Sequence, residues 1–169
     1  LILPLYTTLY FPHWLRMLGA RIGRWAEIST VSQISPDLME LGEGSFFADG
    51  SIIGGRHFRR GHVFLSLSRV GYRSFIGNSA ILPIGAHVGD RCLIGCLTQT
   101  PAQQATAHDS EWLGSPAFQI PYRKKVEGID ASLTYYPSRK LYAQRCLVDA
   151  FRIIFPSTLA LGSLMFFAH

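Results

Sequence analysis

Residues 70–99 read VGYRSF-IGNSAI-LPIGAH-VGDRCL-IGCLTQ, and their spacing decides the fold. An aliphatic residue returns every sixth position, at Val70, Ile76, Leu82, Val88 and Ile94. Glycine follows it at Gly71, Gly77, Gly89 and Gly95, with Pro83 as the exception. A small or thin residue stands four places after each lead, at Ser74, Ala80, Ala86, Cys92 and Thr98. Six fits neither the 3.6-residue period of a helix nor the two-residue period of a simple strand. It is the period of hexapeptide repeats that wind into a parallel β-helix. Lead residues would stack inward, strands would pair with those above and below at about 4.8 Å, and glycines would take the corners, where a positive φ is often needed.

The pattern extends upstream. Ile22, Ile28 and Ile34 are six apart, SPDLME adds one residue, and Leu41, Phe47 and Ile53 resume the repeat. From Ile53 to Val70 there are 17 residues where 18 would keep register. The fault falls in RHFRRGH, residues 56–62, where a loop or bulge is expected. Beyond Gln99, Thr100 to Ser110 is a polar loop, and EWLGSPAFQIPYR (111–123) is an extended segment expected to pack outside the coil. Tyr142, Arg145, Asp149 and Arg152 share one helical face of the segment after Ser138, and Ala143, Leu147, Ala150, Phe151 and Ile154 share another.

The ends differ from the middle. Every Asp, Glu, Lys and Arg lies between Arg16 and Arg152, and Ile153 to Ala168 carries no charge for 16 residues. A membrane-spanning helix needs about 20 apolar residues. Both ends therefore read as parts of spans, and the chain as a segment of a larger polytopic membrane protein. Arginines at 16, 21 and 24, and again Arg139, Lys140, Arg145 and Arg152, flank these runs in a positive-inside pattern that predicts a cytoplasmic domain. The expected divisions are 1–21, the end of a transmembrane or interfacial helix; 22–123, the β-helix; 124–137, a linker; 138–152, an amphipathic juxtamembrane helix; and 153–169, the start of a transmembrane helix. The net charge of +5 is not arranged as an aromatic-interleaved stripe, so nucleic acid is not an expected partner. Cys92, Cys96 and Cys146 read as buried small hydrophobes rather than zinc ligands.

The hexads and the string Gly114-Ser115-Pro116-Ala117 resemble the hexapeptide-repeat acyltransferase superfamily. Met17–Gly23, Ser35–Gly54, Val70–Gly95 and Trp112–Phe118 more closely resemble the C-terminal region of non-ribosomal peptide synthetases of the ε-poly-lysine synthetase type. The resemblance implies a fold class, all-β with a left-handed parallel β-helix flanked by membrane-associated or transmembrane helices. It implies an integral membrane protein that joins carrier-bound amino acids by amide bonds. The partners implied are an acyl or aminoacyl thioester, the membrane, and sister β-helix domains or a homotrimer. The cofactor implied is the phosphopantetheine of a carrier domain, or acyl-CoA, supplied from elsewhere. A non-catalytic scaffold packed against sister domains is the alternative reading.

Transfer from a thioester to an amine needs a base, oxyanion donors and a slot for the pantetheine arm. His57 and His62 flank the register break and are the candidate bases, with exposed loop residues as the plainer reading. Arg56, Arg59 and Arg60 could hold phosphate by charge-assisted hydrogen bonds, or form a solvated loop. Trp112 could wall the acyl slot or cover the coil. His87 is expected at a corner pointing outward. His108-Asp109-Ser110 is no triad, because triad members converge from distant positions. Asn78 reads as a turn residue, and Asp37 and Asp49 as caps. His57 and His62 have no suitable third histidine upstream, the other coil histidine, His87, following the pair, so no metal is expected.

Overall fold

A computed structural model describes residues 3–101, 104–121 and 134–167. Most of the expected linker, residues 124–133 of 124–137, and His169 lie outside the described residues.

The chain visits three parallel sheets in rotation. The first sheet holds β1 (Arg21–Ile22), β4 (Met39–Leu41), β9 (Ser68–Val70) and β12 (His87–Val88). The second holds β2 (Glu27–Ile28), β5 (Phe46–Phe47), β10 (Phe75–Ile76), β13 (Leu93–Ile94) and β14 (Glu111–Leu113). The third holds β3 (Val31–Ile34), β6 (Ser51–Gly55) and β11 (Ile81–Pro83). Val70, Ile76, Leu82, Val88 and Ile94 are all buried, as are Leu41, Phe47 and Ile53 one rung below. The small positions Ser74, Ala80, Ala86, Cys92 and Thr98 are buried beside them. Each fully buried aliphatic side chain contributes about 1.5–3 kcal/mol.

Two departures break the all-β, single left-handed β-helix that was expected. β15 (Phe118–Gln119) runs antiparallel to β14, so residues 111–119 join the second sheet instead of lying outside it. A separate antiparallel hairpin, β7 (His57–Arg59) with β8 (His62–Phe64), stands out between β6 and β9. Among the described residues, strands are thus divided among four sheets of mixed direction, with α-helices flanking them. The hairpin also explains the register. Leu41 pairs over Ile22 and Val88 over Val70, about one 18-residue rung apart, but Val70 pairs over Leu41 at 29 residues. The step from Ile53 to Val70 is one hexad carrying an eleven-residue insertion, not a rung that lost one residue.

The corners correct a second expectation. Gly23, Gly42, Gly71 and Gly89 do not adopt positive φ; a Cβ on each would sit 2.4–2.8 Å from atoms of the next rung. They are glycine because backbone meets backbone there. The left-handed conformation falls two residues later, at Trp25, Gly44, Arg73, Arg91 and Asp109, and at the following corner on Gly50, Ser79 and Leu97. Ser79, rather than Asn78, takes that conformation.

Helix α1 (Tyr10–Met17) closes the first rung. Pro12 is tolerated because it lies in the first turn, and Phe11 and Leu15 enter the core beside Ala20 and Met39. Helix α2 (Arg139–Phe167) runs on through Pro156. It docks by its polar face. Arg145 pairs with Glu27 at 3.3 Å, and Arg152 donates to the carbonyl of Tyr6. Asp149, 5% exposed, accepts the Leu9 N–H at 2.9 Å. The apolar face stays outward, with Leu147 72% and Phe151 64% exposed. The turn before α2 is tied down by Arg73, whose guanidinium lies 4.2 Å from the Tyr135 ring and donates to the Tyr136 hydroxyl at 2.8 Å.

The expected integral membrane placement is overturned. Among the described residues no helix is long and apolar enough to cross a membrane. α1 has eight residues, and all five charges of α2 lie in its first half. The cytoplasmic orientation, which was read from the expected spans, loses its basis with them.

Candidate active site

The sequence HFRRGHVF folds as a two-residue hairpin. Arg60 and Gly61, at φ 50° and 77°, supply the two left-handed residues that a tight type I′ turn demands. His57 pairs with Phe64, Phe58 with Val63, and Arg59 with His62. Cross-strand partners share a face and alternate residues share it too, so His57, Arg59, His62 and Phe64 lie on one face and Phe58 and Val63 on the other. The predicted bases are thereby brought to one surface beside an arginine. The His57 ring centroid is 6.0 Å from that of Phe64. His62 Nδ1 lies 3.0 Å from the Arg60 carbonyl oxygen. A carbonyl only accepts, so Nδ1 carries the hydrogen and Nε2 of the neutral ring keeps its lone pair. Every residue from Arg56 to Phe64 is exposed. No Asp or Glu occurs between Asp49 and Asp90, so the field of Arg56, Arg59 and Arg60 is not offset by nearby acids in sequence.

The structure does not bring Trp112 to this hairpin. It sits on β14, two strands beyond β10 in the second sheet, packs partly against the core and donates Nε1–H to Ser110 Oγ at 2.9 Å. His87 begins β12 on the outer face of the first sheet, where a shallow groove of about 670 Å³ runs past Arg21, Glu40, Arg69 and His108. Glu40 takes Arg21 at 2.5 Å and Arg69 at 2.7 Å, and the hydrogen bonds from Arg69 first and Arg21 second hold its carboxyl below the usual carboxylate value. His108 Nδ1 lies 3.0 Å from the Asp90 N and 3.2 Å from Asp90 Oδ2. His108 is therefore a corner cap. Asp49 has the same use one corner on: hydrogen bonds from the Ser29 hydroxyl first, then Thr30, hold its carboxyl low.

Sequence reasoning missed a third place. Between α1, the first rung and the start of α2 lies a cleft of about 660 Å³, lined among others by His13, Arg16, Arg24, Trp25, Tyr142 and Arg145. The shared face of Tyr142 and Arg145 was legible, but nothing in the sequence says that this face turns toward Trp25 and Glu27, more than a hundred residues away. Among the described residues, no group of three or more His, Cys, Asp or Glu side chains is placed to hold a metal ion.

No known protein-family model matches the chain. A relative does. The chain is 39% identical over 158 residues to the delta-poly-L-ornithine synthetase of Acinetobacter baumannii, a match that takes in 94% of this chain and 12% of that protein. This chain thus spans about an eighth of the relative's length. Among solved structures, a mutant of AntD, an N-acyltransferase from Bacillus cereus in complex with dTDP and coenzyme A, shares 14% identity, with a TM-score of 0.38 over 71% of this chain and 92% of that one.

Proposed function

We propose that this chain is an acyl- or aminoacyl-transfer domain of an amide-bond-forming synthetase. The observation that carries the reading is the 39% identity to delta-poly-L-ornithine synthetase across nearly all of the chain. A polymer of amino acids is made by repeated attack of an amine on an activated carboxyl group.

The hairpin suits the steps that a protein must supply. A phosphopantetheine thioester, on a carrier domain or as acyl-CoA, would bring an activated acyl carbon. The guanidinium forks of Arg56, Arg59 and Arg60 match phosphate in charge and geometry. His62, with Nε2 free to accept, takes a proton from the attacking ammonium so that its nitrogen lone pair can form the new bond. The second proton, lost from the nitrogen once the new bond has formed, passes through His57 on the same face to the departing thiolate as the C–S bond breaks. Neither cleft described above is lined by hairpin residues, so the site is completed by another surface: a sister domain of the parent chain or a second copy of this one. That same exposure supports the other reading, a scaffold whose hairpin only docks.

The test is amide formation from an aminoacyl-pantetheine thioester and a free amino acid, in the parent synthetase. Replacing His57 and His62 together with alanine is expected to lower kcat about 10²- to 10⁴-fold, the range for loss of acid–base catalysis. The thermal midpoint should not move, because both side chains are exposed. Unchanged polymer formation by a normally folded double variant selects the scaffold.

A further inference from the structure

We propose that the cleft between α1, the first rung and α2 is a binding site for a small organic anion, a carboxylate or phosphate monoester carried on an apolar or planar body. It is separate from the hairpin, and no part of the transfer reading above uses it.

Charge sets the anionic end. Arg16 spends Nε and Nη2 on the carbonyls of Ile22 and Gly23, at 3.1 and 2.9 Å, so its positive charge faces no carboxylate there. The Arg24 guanidinium has no ion-pair or hydrogen-bond partner among the described residues. The one carboxylate in the lining, Glu27, faces Arg145 fork to fork at 3.3 and 3.4 Å. Tight pairs of this kind close to about 2.7–2.9 Å, so Arg145 is held loosely enough to turn to a ligand. His13 donates Nδ1–H to the Leu9 carbonyl at 2.9 Å, leaving Nε2 unused.

The other walls set the body. Trp25 and Tyr142 meet edge to face at 5.4 Å and 85°, and Pro12, Pro137 and Leu141 continue the apolar surface. Burial pushes the Tyr142 phenol above its ordinary range, so it remains a neutral O–H donor. The volume, about 660 Å³, lies within the roughly 300–1,000 Å³ typical of small-molecule sites, which are mostly apolar with a few placed polar groups. Trp25 is held in the left-handed conformation at φ 57°, as Arg73 and Arg91 are at the equivalent corners of later rungs. Its ring forms the cleft wall.

Calorimetric titration of the protein with naphthyl phosphate, naphthoate and the neutral naphthalenemethanol tests the proposal. One or both anions should bind one-to-one, with the alcohol at least about tenfold weaker, as expected for loss of charged hydrogen bonds. The anion that binds more tightly identifies the acidic group. Arg24→Glu should weaken the anion at least about tenfold, and Arg24→Gln serves if the reversal does not fold. Glu27→Gln should tighten it, because Arg145 loses its competitor. The His57/His62 double variant should bind as the parent does, which keeps this result apart from that of the transfer assay. The proposal is overturned if neither anion binds, if the alcohol binds as well as the anions, or if the Arg24 variants bind with parental affinity.

Discussion

Gly71 offers the sharpest test of how the rungs are held together. A Cβ built there would lie 2.4 Å from Asp90 Oδ1, 2.6 Å from Asp90 N and 2.6 Å from the carbonyl carbon of Gly89. Two of those three atoms are backbone, so no side chain can swing clear. The next rung must move, and with it the 2.8 Å hydrogen bond from Tyr72 N–H to Asp90 Oδ1. Overpacking of this kind costs about 1–3 kcal/mol, and backbone contacts put Gly71→Ala at the upper end, about 3 kcal/mol. Gly61, at the hairpin tip, is the internal control. It has φ +77° and nothing within 4 Å of a built Cβ, so Gly61→Ala carries only the left-handed conformational cost, about 1–2 kcal/mol. For a chain of this size 1 kcal/mol shifts the midpoint by roughly 2–4 °C. Thermal unfolding followed by circular dichroism should then place Gly71→Ala roughly 6–12 °C below the parent and Gly61→Ala roughly 2–8 °C below. A Gly71→Ala variant that melts with the parent, or one less affected than Gly61→Ala, refutes the claim that this glycine is required by close approach.

Two further perturbations probe other parts of the fold. Ile76 is fully buried between Phe47 and Ile94 in the second sheet, so Ile76→Ala should cost about 2–5 kcal/mol in urea unfolding; a loss under 1 kcal/mol would mean the core closes over the cavity. Glu40 has a lowered pKa in the folded protein, so its contribution is complete above the ordinary carboxyl value of 4.5 and is lost as pH falls through the lower folded value. The gap in urea midpoint between parent and Glu40→Gln should therefore be widest near neutrality and shrink on acidification. A gap that stays constant from neutral to acid pH would remove the Arg21–Glu40–Arg69 ladder from the stability argument.

The six-residue period revealed which side chains enter the core, because burial repeats with the strands: Val70, Ile76, Leu82, Val88 and Ile94 are buried in order. It could not reveal where the chain leaves the walls. An insertion carries no periodic signal of its own, so His57 to Phe64 read as a fault in register rather than as a hairpin. The pair Arg60-Gly61 was the available clue, but arginine is an uncommon choice for a left-handed turn position. The membrane expectation failed for a different reason. The expected span was the charge-free run from Ile153, but that run continues the charged helix α2, whose earlier turns bring Arg145, Asp149 and Arg152 to the protein and leave Leu147 and Phe151 outward. Composition cannot tell such a strap from a span. The cleft at Trp25 was the least legible of all, since its residues come from three separate parts of the chain.

The hairpin has an architectural consequence. The chain leaves the third sheet after Gly55 and rejoins the first at Ser68, a step eleven residues longer than a plain hexad, yet Val70 stands over Leu41 and under Val88 as if nothing intervened. Wall spacing is conserved by the strands, and corner length is free. A polypeptide built this way can lengthen at a bend while its walls keep their alignment. Extra segments can be grafted at such points, and Arg60-Gly61 marks the tip of one that this chain already carries.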